Sequence, residues 1–566
     1  MNRSSRRQAE KTQRTLQAQN LSAEAHRLFQ EAVMHHQAKR FQQAEAGYDH
    51  ILGQFPAHPD SLHLRGLLAY QQSHYALALT LIQQAIALDS CKPHYFFNHA
   101  LVLEKEERWE EAISAYQEAI RLNPHYVEAL SNVGNVYRRQ RQWGKAIAAY
   151  KDARKLKPQS ADLLNNLGVV YKEKGELDLA LAQYQQALEI SPQHAEALNN
   201  MGVVLQDQGK LVEATEAFHQ ALILKPGYAN AHYHLGLVRL WQGQEDAALA
   251  CFQRSADLTY NHGRGMAPAF VTKARIKHDF EQLQYVAEHV PGLPVPHEYR
   301  SALTTLYQRL SQSSLESIFL KLNPQDQNQI APSFNRLLYV RHTPRLDTPA
   351  VNPKLDVSAI ETRYFSTKPE AMFLDDLLTE QALTHIRAFC LESTIWKRDY
   401  QNGYIGTFLA NGFASPLLLQ IAEELRTRFP KIFQHHQLQQ AWAFKHDSAL
   451  RGLNMHADAA AVNVNFWITP DGANRNSENG GLVVWDKEAP DDWDFAEYNN
   501  DNNRYKIQEF LEQNGAKPIT IPHRQNRAVI FNSNLFHETD VIDFQDTYES
   551  RRINVTLLYG HRQQSR

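Results

Sequence analysis

A single spacing governs the first half of this chain. A small residue is followed by Ala twelve positions on, by an aromatic or aliphatic residue four after that, by a small residue three further, and in most copies by Pro five beyond. Ala100, Ala112, Tyr116, Ala119 and Pro124 form one set, and Gly134, Ala146, Tyr150, Ala153 and Pro158 the next. Gly168, Ala180, Tyr184, Ala187 and Pro192 follow, then Gly202, Ala214, Phe218, Ala221 and Pro226. The step is 34 residues each time. Ala32, Ala44, Tyr48, Ile51 and Pro56 extend the series towards the N-terminus, as do Gly66, Ala78, Ile82 and Ala85, and Gly236, Ala248, Phe252 and Ser255 close it. Seven copies therefore run over about 25–258. Such a period demands stacked helix pairs. Small residues let two antiparallel helices touch, the aromatic fills the gap between repeats, and proline stops the second helix.

This pattern resembles the tetratricopeptide repeat (TPR) family, which implies an all-α right-handed superhelix with a concave binding groove. Asn98, Asn132, Asn166 and Asn200 each stand two before the small residue of the first helix, and His234 takes that place in the last copy. Asn is a mediocre helix former, so four in register need a reason. In the tetratricopeptide geometry this position faces the groove, where side-chain amides can donate to and accept from an extended peptide backbone. A similar ladder lines the repeats of O-linked N-acetylglucosamine transferases. The expected partner is a protein or peptide; the alternative is that these Asn residues merely cap or solvate a helix face.

Composition narrows the partners. Lys plus Arg is 59 and Asp plus Glu 62, a net charge of 59 − 62 = −3, which argues against a globally basic nucleic-acid binder. The basic lead-in at 1–24 (Arg3, Arg6, Arg7, Lys11, Arg14) reads as a solvated segment. Cys91, Cys251 and Cys390 are too far apart for a CxxC zinc site or a disulfide framework, so a reducing, cytoplasmic setting is expected. No apolar run reaches the roughly 18 residues of a membrane span, and the first 20 residues lack a signal-peptide core.

Residues 259–360 read as a connector. Ala274–His289 and His297–Ser311 have helical apolar spacing and are separated by Pro291, Pro294 and Pro296; residues 323–357 form an irregular crossover. Nothing in the connector signals chemistry. Within 361–566, helices are expected near Glu380–Glu392 and Pro416–Arg428. Beyond 440 come QAWAFKH, AVNVNFWIT, GGLVVWD, KPITIP, NRAVIFNS and RINVTLLYG, short runs rich in β-formers and broken by turn residues. They predict a β-sandwich or barrel braced by helices.

His456 and Asp458 stand just before the AVNVNFWIT strand, two apart and so on one side of an extended segment. His537 follows NRAVIFNS, and Arg551 and Arg552 open the last strand. Two imidazoles and a carboxylate leave three positions open on a six-coordinate metal. A bare His-x-Asp is a weak signal: His58-Pro59-Asp60 matches too, inside a repeat turn. Order and strand context set the second case apart. It resembles the 2-oxoglutarate- and Fe(II)-dependent oxygenase superfamily, closest to prolyl-4-hydroxylase-like members, over about 365–562.

The resemblance implies a double-stranded β-helix (jelly roll), Fe(II) held by His456, Asp458 and His537, and 2-oxoglutarate with its far carboxylate on Arg552 or Arg551. Prolyl hydroxylases usually use Lys there. Arg552, Asn554 and Thr556 share the polar face of their strand, which favours Arg552, with Arg551 in reserve. The Arg552-x-Asn554-x-Thr556 run also resembles a strand of nucleic-acid dealkylases. Asn463 or Asn465 can meet the cosubstrate's other carboxylate, with strand pairing the alternative. Tyr404 and Lys445 are further candidates for the pocket wall. The stretch Asp491–Arg504 reads as a solvated loop, or else a substrate-gating insertion. By the same resemblance, dioxygen is consumed as 2-oxoglutarate is oxidatively decarboxylated to succinate and CO₂, and a bound C–H is hydroxylated by default, with demethylation and desaturation as open alternatives. Joined to a repeat groove, this points to a protein or peptide substrate. The alternatives are a small-molecule oxygenase whose repeats serve assembly, and a repeat scaffold carrying an inactive β-helix.

Overall fold

The computed structural model describes residues 24–561, apart from 263, 264, 266, 294, 311–316, 401, 434, 448–454, 491, 492, 494–497 and 500–502. The basic lead-in and much of Asp491–Arg504 lie outside the described residues. The chain divides into two compact units, Met1–Gly209 and Lys210–Arg566. The division falls inside the repeat series.

The first unit is built of helix pairs. After a helix at 24–37 and Phe41–Gln54 come Pro59–Gln71 with Tyr75–Leu88, Pro93–Lys105 with Trp109–Leu122, Val127–Arg139 with Trp143–Leu156, and Ala161–Glu173 with Leu177–Ile190; Ala195–Asp207 completes it. The 34-residue register has a steric cause at each position. The aromatic ring lies on the small residue of its own repeat: a Cβ on Gly168 would stand 2.4 Å from Tyr184 Cε1. The same ring also reaches the next repeat, since Asn132 Nδ2 donates to Tyr116 Oη at 3.4 Å. Helices end two residues before Pro124, Pro158 and Pro192, and the intervening Asn123, Lys157 and Ser191 are extended, at φ −137, −130 and −135°. His58 accepts from Ser61 N–H at 3.1 Å, so the first His-x-Asp match is a helix cap.

The second unit opens with Leu211–Leu224 and the last helix pair, Ala229–Trp241 with Glu245–Tyr260. That pair is tied to a strand of the C-terminal sheet region: Trp241 Nε1 donates to Leu438 O at 2.8 Å and Tyr233 Oη to Gln439 O at 3.3 Å. The connector supplies helices Lys273–His289 and His297–Leu310 and a two-stranded ribbon, β1 (Phe270–Thr272) with β2 (Phe319–Lys321).

Two antiparallel sheets carry the site. The strands are β3 (Ala371–Leu374), β4 (Arg398–Asp399), β5 (Tyr404–Phe408), β6 (Leu438–His446), β7 (Val462–Trp467), β8 (Leu482–Glu488), β9 (Pro518–Ile521), β10 (Ala528–Asn532), β11 (Leu535–Thr539) and β12 (Ile553–Tyr559). The larger sheet has the order β3-β10-β7-β12-β6-β5-β4 and the smaller β11-β8-β9. Register sorts the faces of the larger sheet. Val464, Phe466, Ile530, Val555 and Leu557 join the core under helices Glu380–Glu392 and Pro416–Arg428, which run where the sequence places them. The opposite face carries Trp467, Val529 and Phe531, which pack with Leu482, Val484 and Leu535 of the smaller sheet. Asn463, Asn465, Asn554 and Thr556 share that inner face.

Candidate metal centre

Backbone pairing assembles the triad. His456 and His537 exchange both hydrogen bonds of a narrow antiparallel pair, at 3.0 and 2.8 Å, and Asp458 N–H donates to Ser533 O at 3.0 Å. The segment around His456 therefore borders β11 and extends the smaller sheet. One ligand atom from each of His456, Asp458 and His537 lies within 4.8 Å of the other two. His537 Nε2 is 3.4 Å from Asp458 Oδ2, and His456 Nε2 is 3.7 Å from Oδ1. His537 Nδ1 lies 3.1 Å from Leu535 O; its proton directed there leaves Nε2 free as a ligand. Burial works to raise the Asp458 carboxyl, but the two imidazoles and the Asn463 amide outweigh it and hold that carboxyl below the ordinary range. The His456 side chain is 27 % exposed whereas those of Asp458 and His537 are about 5 %, so the cluster opens on the His456 side.

From this cluster a polar row runs along the inner face of the larger sheet. Asn463 Nδ2 donates to Asp458 Oδ2 at 2.6 Å. Asn465 Nδ2 donates to Thr556 Oγ1 at 3.1 Å, and Asn554 Nδ2 to the same oxygen at 3.4 Å. Arg552 Nη1 donates to Asn554 Oδ1 at 3.1 Å. Two further donors of Arg552 meet backbone, Nε to Gly480 O at 2.5 Å and Nη2 to Gly481 O at 2.9 Å, so three of its five N–H groups are engaged. Arg552 is 1 % exposed, and no carboxylate among the described residues lies within salt-bridge distance of it. Burial pushes its guanidinium down to about 9. The amide oxygens of Asn463 and Asn465, the indole N–H of Trp467 and both ring nitrogens of His523 are buried without hydrogen-bond partners among the described residues.

The two arginines separate cleanly. Arg551 points to the other face, where Nη2 pairs with Glu281 and Nη1 lies 3.6 Å from Asp447 Oδ1. Tyr404 is on the inner face, its ring stacked 5.3 Å from that of His446. Lys445 is not: it faces the helices, donating to Tyr548 Oη at 2.8 Å beneath Trp396, because it alternates with His446 along β6. The described part of Asp491–Arg504 is no simple solvated loop: Tyr498 is buried, and Tyr498 O and Asn499 Nδ2 hold the N–H and C=O of Ala457 at 3.0 and 3.1 Å. His446, His523 and the Gly480-Gly481 pair were not singled out in the sequence. Of these only the glycines leave a trace there: a Cβ on Gly481 would stand 1.8 Å from Ile521 O, so nothing larger fits beneath Arg552.

The repeat Asn residues are half-buried. Asn98 Nδ2 lies 2.8 Å from His63 Nε2, and Asn200 Nδ2 donates to Asn165 Oδ1 at 3.0 Å. Asn132 lines an open cavity of about 250 Å³ with Tyr70, Leu101, Glu104, Lys105, Asn135 and Arg139. In the second unit His234 stacks 5.7 Å from Phe218.

No curated protein matches the chain. Among solved structures, it is similar to MamA (25% identity over 28% of this chain and 93% of that one, TM-score 0.26). It is also similar to a tetratricopeptide repeat protein from Parabacteroides merdae (17%, 42% and 94%, TM-score 0.37) and to YrrB, described as a TPR protein with an unusual peptide-binding site (26%, 32% and 93%, TM-score 0.26). The TPR repeat model matches residues 100–141, 134–175 and 170–209, and the tetratricopeptide repeat model matches 195–228. The N-terminal helix pairs are thus tetratricopeptide repeats.

Proposed function

We propose that this chain is an Fe(II)- and 2-oxoglutarate-dependent dioxygenase that hydroxylates a protein or peptide held by its repeats. The observation that carries the reading is the pairing of a His456–Asp458–His537 cluster with a buried Arg552, at the far end of one polar row, that feels the charge of Asp540 but makes no ion pair among the described residues. A buried cation without an ion-paired carboxylate is costly unless a ligand supplies one. Strand order supports a double-stranded β-helix: β6, β7, β10 and β12 fall in one sheet, and the His456 segment, β8, β9 and β11 in the other.

His456, Asp458 and His537 would hold the iron, and Arg552 the far carboxylate of 2-oxoglutarate. When bound, that pair supplies the two-electron oxidation of a C–H by dioxygen. The chain's own part is positional. Asn463 orients Asp458, Leu535 O fixes the His537 tautomer, and the carbonyls of Gly480 and Gly481 aim Arg552. The sheet-to-sheet packing of Trp467, Phe531 and Leu535 keeps water from the row. The half-buried Asn98, Asn132, Asn166 and Asn200 would meet an extended peptide with the amide groups left over from, or released by, the contacts that Asn98, Asn132 and Asn200 make inside the repeats. The test is anaerobic titration with Fe(II) and 2-oxoglutarate, watching the visible charge-transfer band of the chelate. A band in the wild type that His456→Ala abolishes is expected; its absence from well-folded wild type sinks the reading.

A further inference from the structure

The connector helix Lys273–His289 is unusual in what it buries. A helix laid on a domain normally buries an apolar stripe. Here Arg275, His278, Asp279 and Gln282 are each at most 4 % exposed, and Lys277 and Glu281 are largely covered. Charged groups are seldom buried unless paired, and their partners show what the helix grips. Lys277 Nζ lies 3.2 Å from Asp447 Oδ1 and 2.6 Å from Asp546 Oδ1. Glu281 pairs with Arg551, and Arg551 in turn reaches Asp447 at 3.6 Å. Gln282 Nε2 donates to Tyr548 Oη at 3.0 Å, at the head of the turn leading into Arg551.

Arg275 meets Lys397 O and Asn335, and Gln282 also donates to Ser393 O, whereas the ion pairs of Lys277 and Glu281 fall on two short stretches. Asp447 follows His446, the last residue of β6, and Arg551 precedes Arg552. The two stretches are stitched by His446 N–H donating to Arg552 O at 3.0 Å. Consecutive residues of an extended chain point to opposite faces, so Arg551 is held from the helix side and Arg552 projects inward. A single peptide unit joins the anchored side chain to the one that meets the ligand.

We infer that Glu281 and Lys277 of the connector helix are positioning residues for 2-oxoglutarate, acting through Arg551 and Asp447 to set the place of Arg552. This rests on the dioxygenase reading, and the experiment separates the two. In the full-length chain, the 2-oxoglutarate dissociation constant is read from the charge-transfer band under anaerobic Fe(II), and the Mn(II) dissociation constant by electron paramagnetic resonance. Glu281→Ala is expected to weaken 2-oxoglutarate about tenfold, the lower end of what loss of an outer-shell partner costs, with Mn(II) binding changed less than about twofold. Glu281→Asp, which keeps the charge, restores most of the affinity. A purely structural clamp would lower the melting temperature and leave the ratio of the two constants alone. If Glu281→Ala does not fold, Lys277→Gln is measured in its place. Unchanged 2-oxoglutarate affinity in a folded variant overturns the inference, while wild type that binds Mn(II) but never 2-oxoglutarate overturns the underlying reading and the inference with it.

Discussion

Arg551 and Arg552 are chemically identical neighbours that differ in every contact that matters. Arg551 already has two carboxylates, Glu281 and Asp447. Arg552 has only neutral oxygens, from Gly480, Gly481 and Asn554. Loss of a charge-assisted bidentate pair is worth about 10–100-fold in binding. Arg552→Met should therefore weaken 2-oxoglutarate at least about tenfold, read from the charge-transfer titration, with metal affinity kept. An Arg552→Met chain that binds 2-oxoglutarate like the wild type would refute this assignment. Strand alternation on Arg552, Asn554 and Thr556 made the inward face of Arg552 legible in the sequence. Lys445 was not legible in the same way. Its face depends on the register of β6 against β12, where Ile553 pairs with Lys445, and two-residue alternation within QAWAFKH has no marker for which face is inner. His523 was invisible because its neighbours, Trp467 and Phe544, come from other segments.

At the level of the helix pair, the repeat was readable because its register is enforced by local sterics that recur every 34 residues. One consequence is testable at the turn after the first helix. Lys39, Ser73, Glu107 and Arg141 there adopt φ of 53 to 63°, and Gly175, Gly209 and Gly243 take the same place in later copies. A side chain in the left-handed region costs about 1–2 kcal/mol, and glycine gives back about 0.5–1 kcal/mol through its greater freedom when unfolded. Glu107→Gly should accordingly stabilise the first unit by about 0.5–1 kcal/mol, measured as a shift in the urea midpoint at constant slope. A lower midpoint would mean that the exposed Glu107 side chain makes a contact of greater worth. The opposite sign belongs to Gly168. An added methyl would meet the Tyr184 ring at 2.4 Å, and overpacking of this kind costs about 1–3 kcal/mol, so Gly168→Ala should lower the same midpoint. A midpoint equal to that of the wild type would show that the ring moves aside freely. The sheet elements were only partly legible. β11 is five residues long with a register shift between Leu535 and His537, too brief and irregular for an alternation signal. The connector helix gave no hint of its role because its ion pairs join residues 170 to 270 positions apart.

Across the whole molecule, the polar groups that the core encloses set its response to acid. His63 in the first unit, and His278 and His523 in the second, are pushed down to about 3, and His446 also lies well below the ordinary imidazole range. Burial is the main cause in each case. Added to it are His94 for His63, Lys445 and Arg551 for His278, Arg552 and Arg527 for His523, and Arg552 for His446. These imidazoles are neutral in the folded chain and take up a proton near 6.5 once unfolded. Below that value the unfolded state binds more protons, so stability falls as pH drops from about 6.5 towards about 3, and it is indifferent to these groups above 6.5. Each contributes a slope of up to about 1.4 kcal/mol per pH unit within that window. His523 isolates the effect, because among the described residues neither ring nitrogen has a hydrogen-bond partner, Asp471 Oδ1 standing 3.9 Å from Nδ1, and its ring packs among Trp467 and Phe544. His523→Phe should leave urea stability near neutrality little changed and remove about 1.4 kcal/mol per pH unit from its decline between pH 6 and 4. Parallel stability profiles for His523→Phe and wild type would show that this ring is already protonated inside the folded chain. It would then sit beside Arg552 as a second buried cation, and the demand for an anionic ligand at that end of the polar row would be greater still.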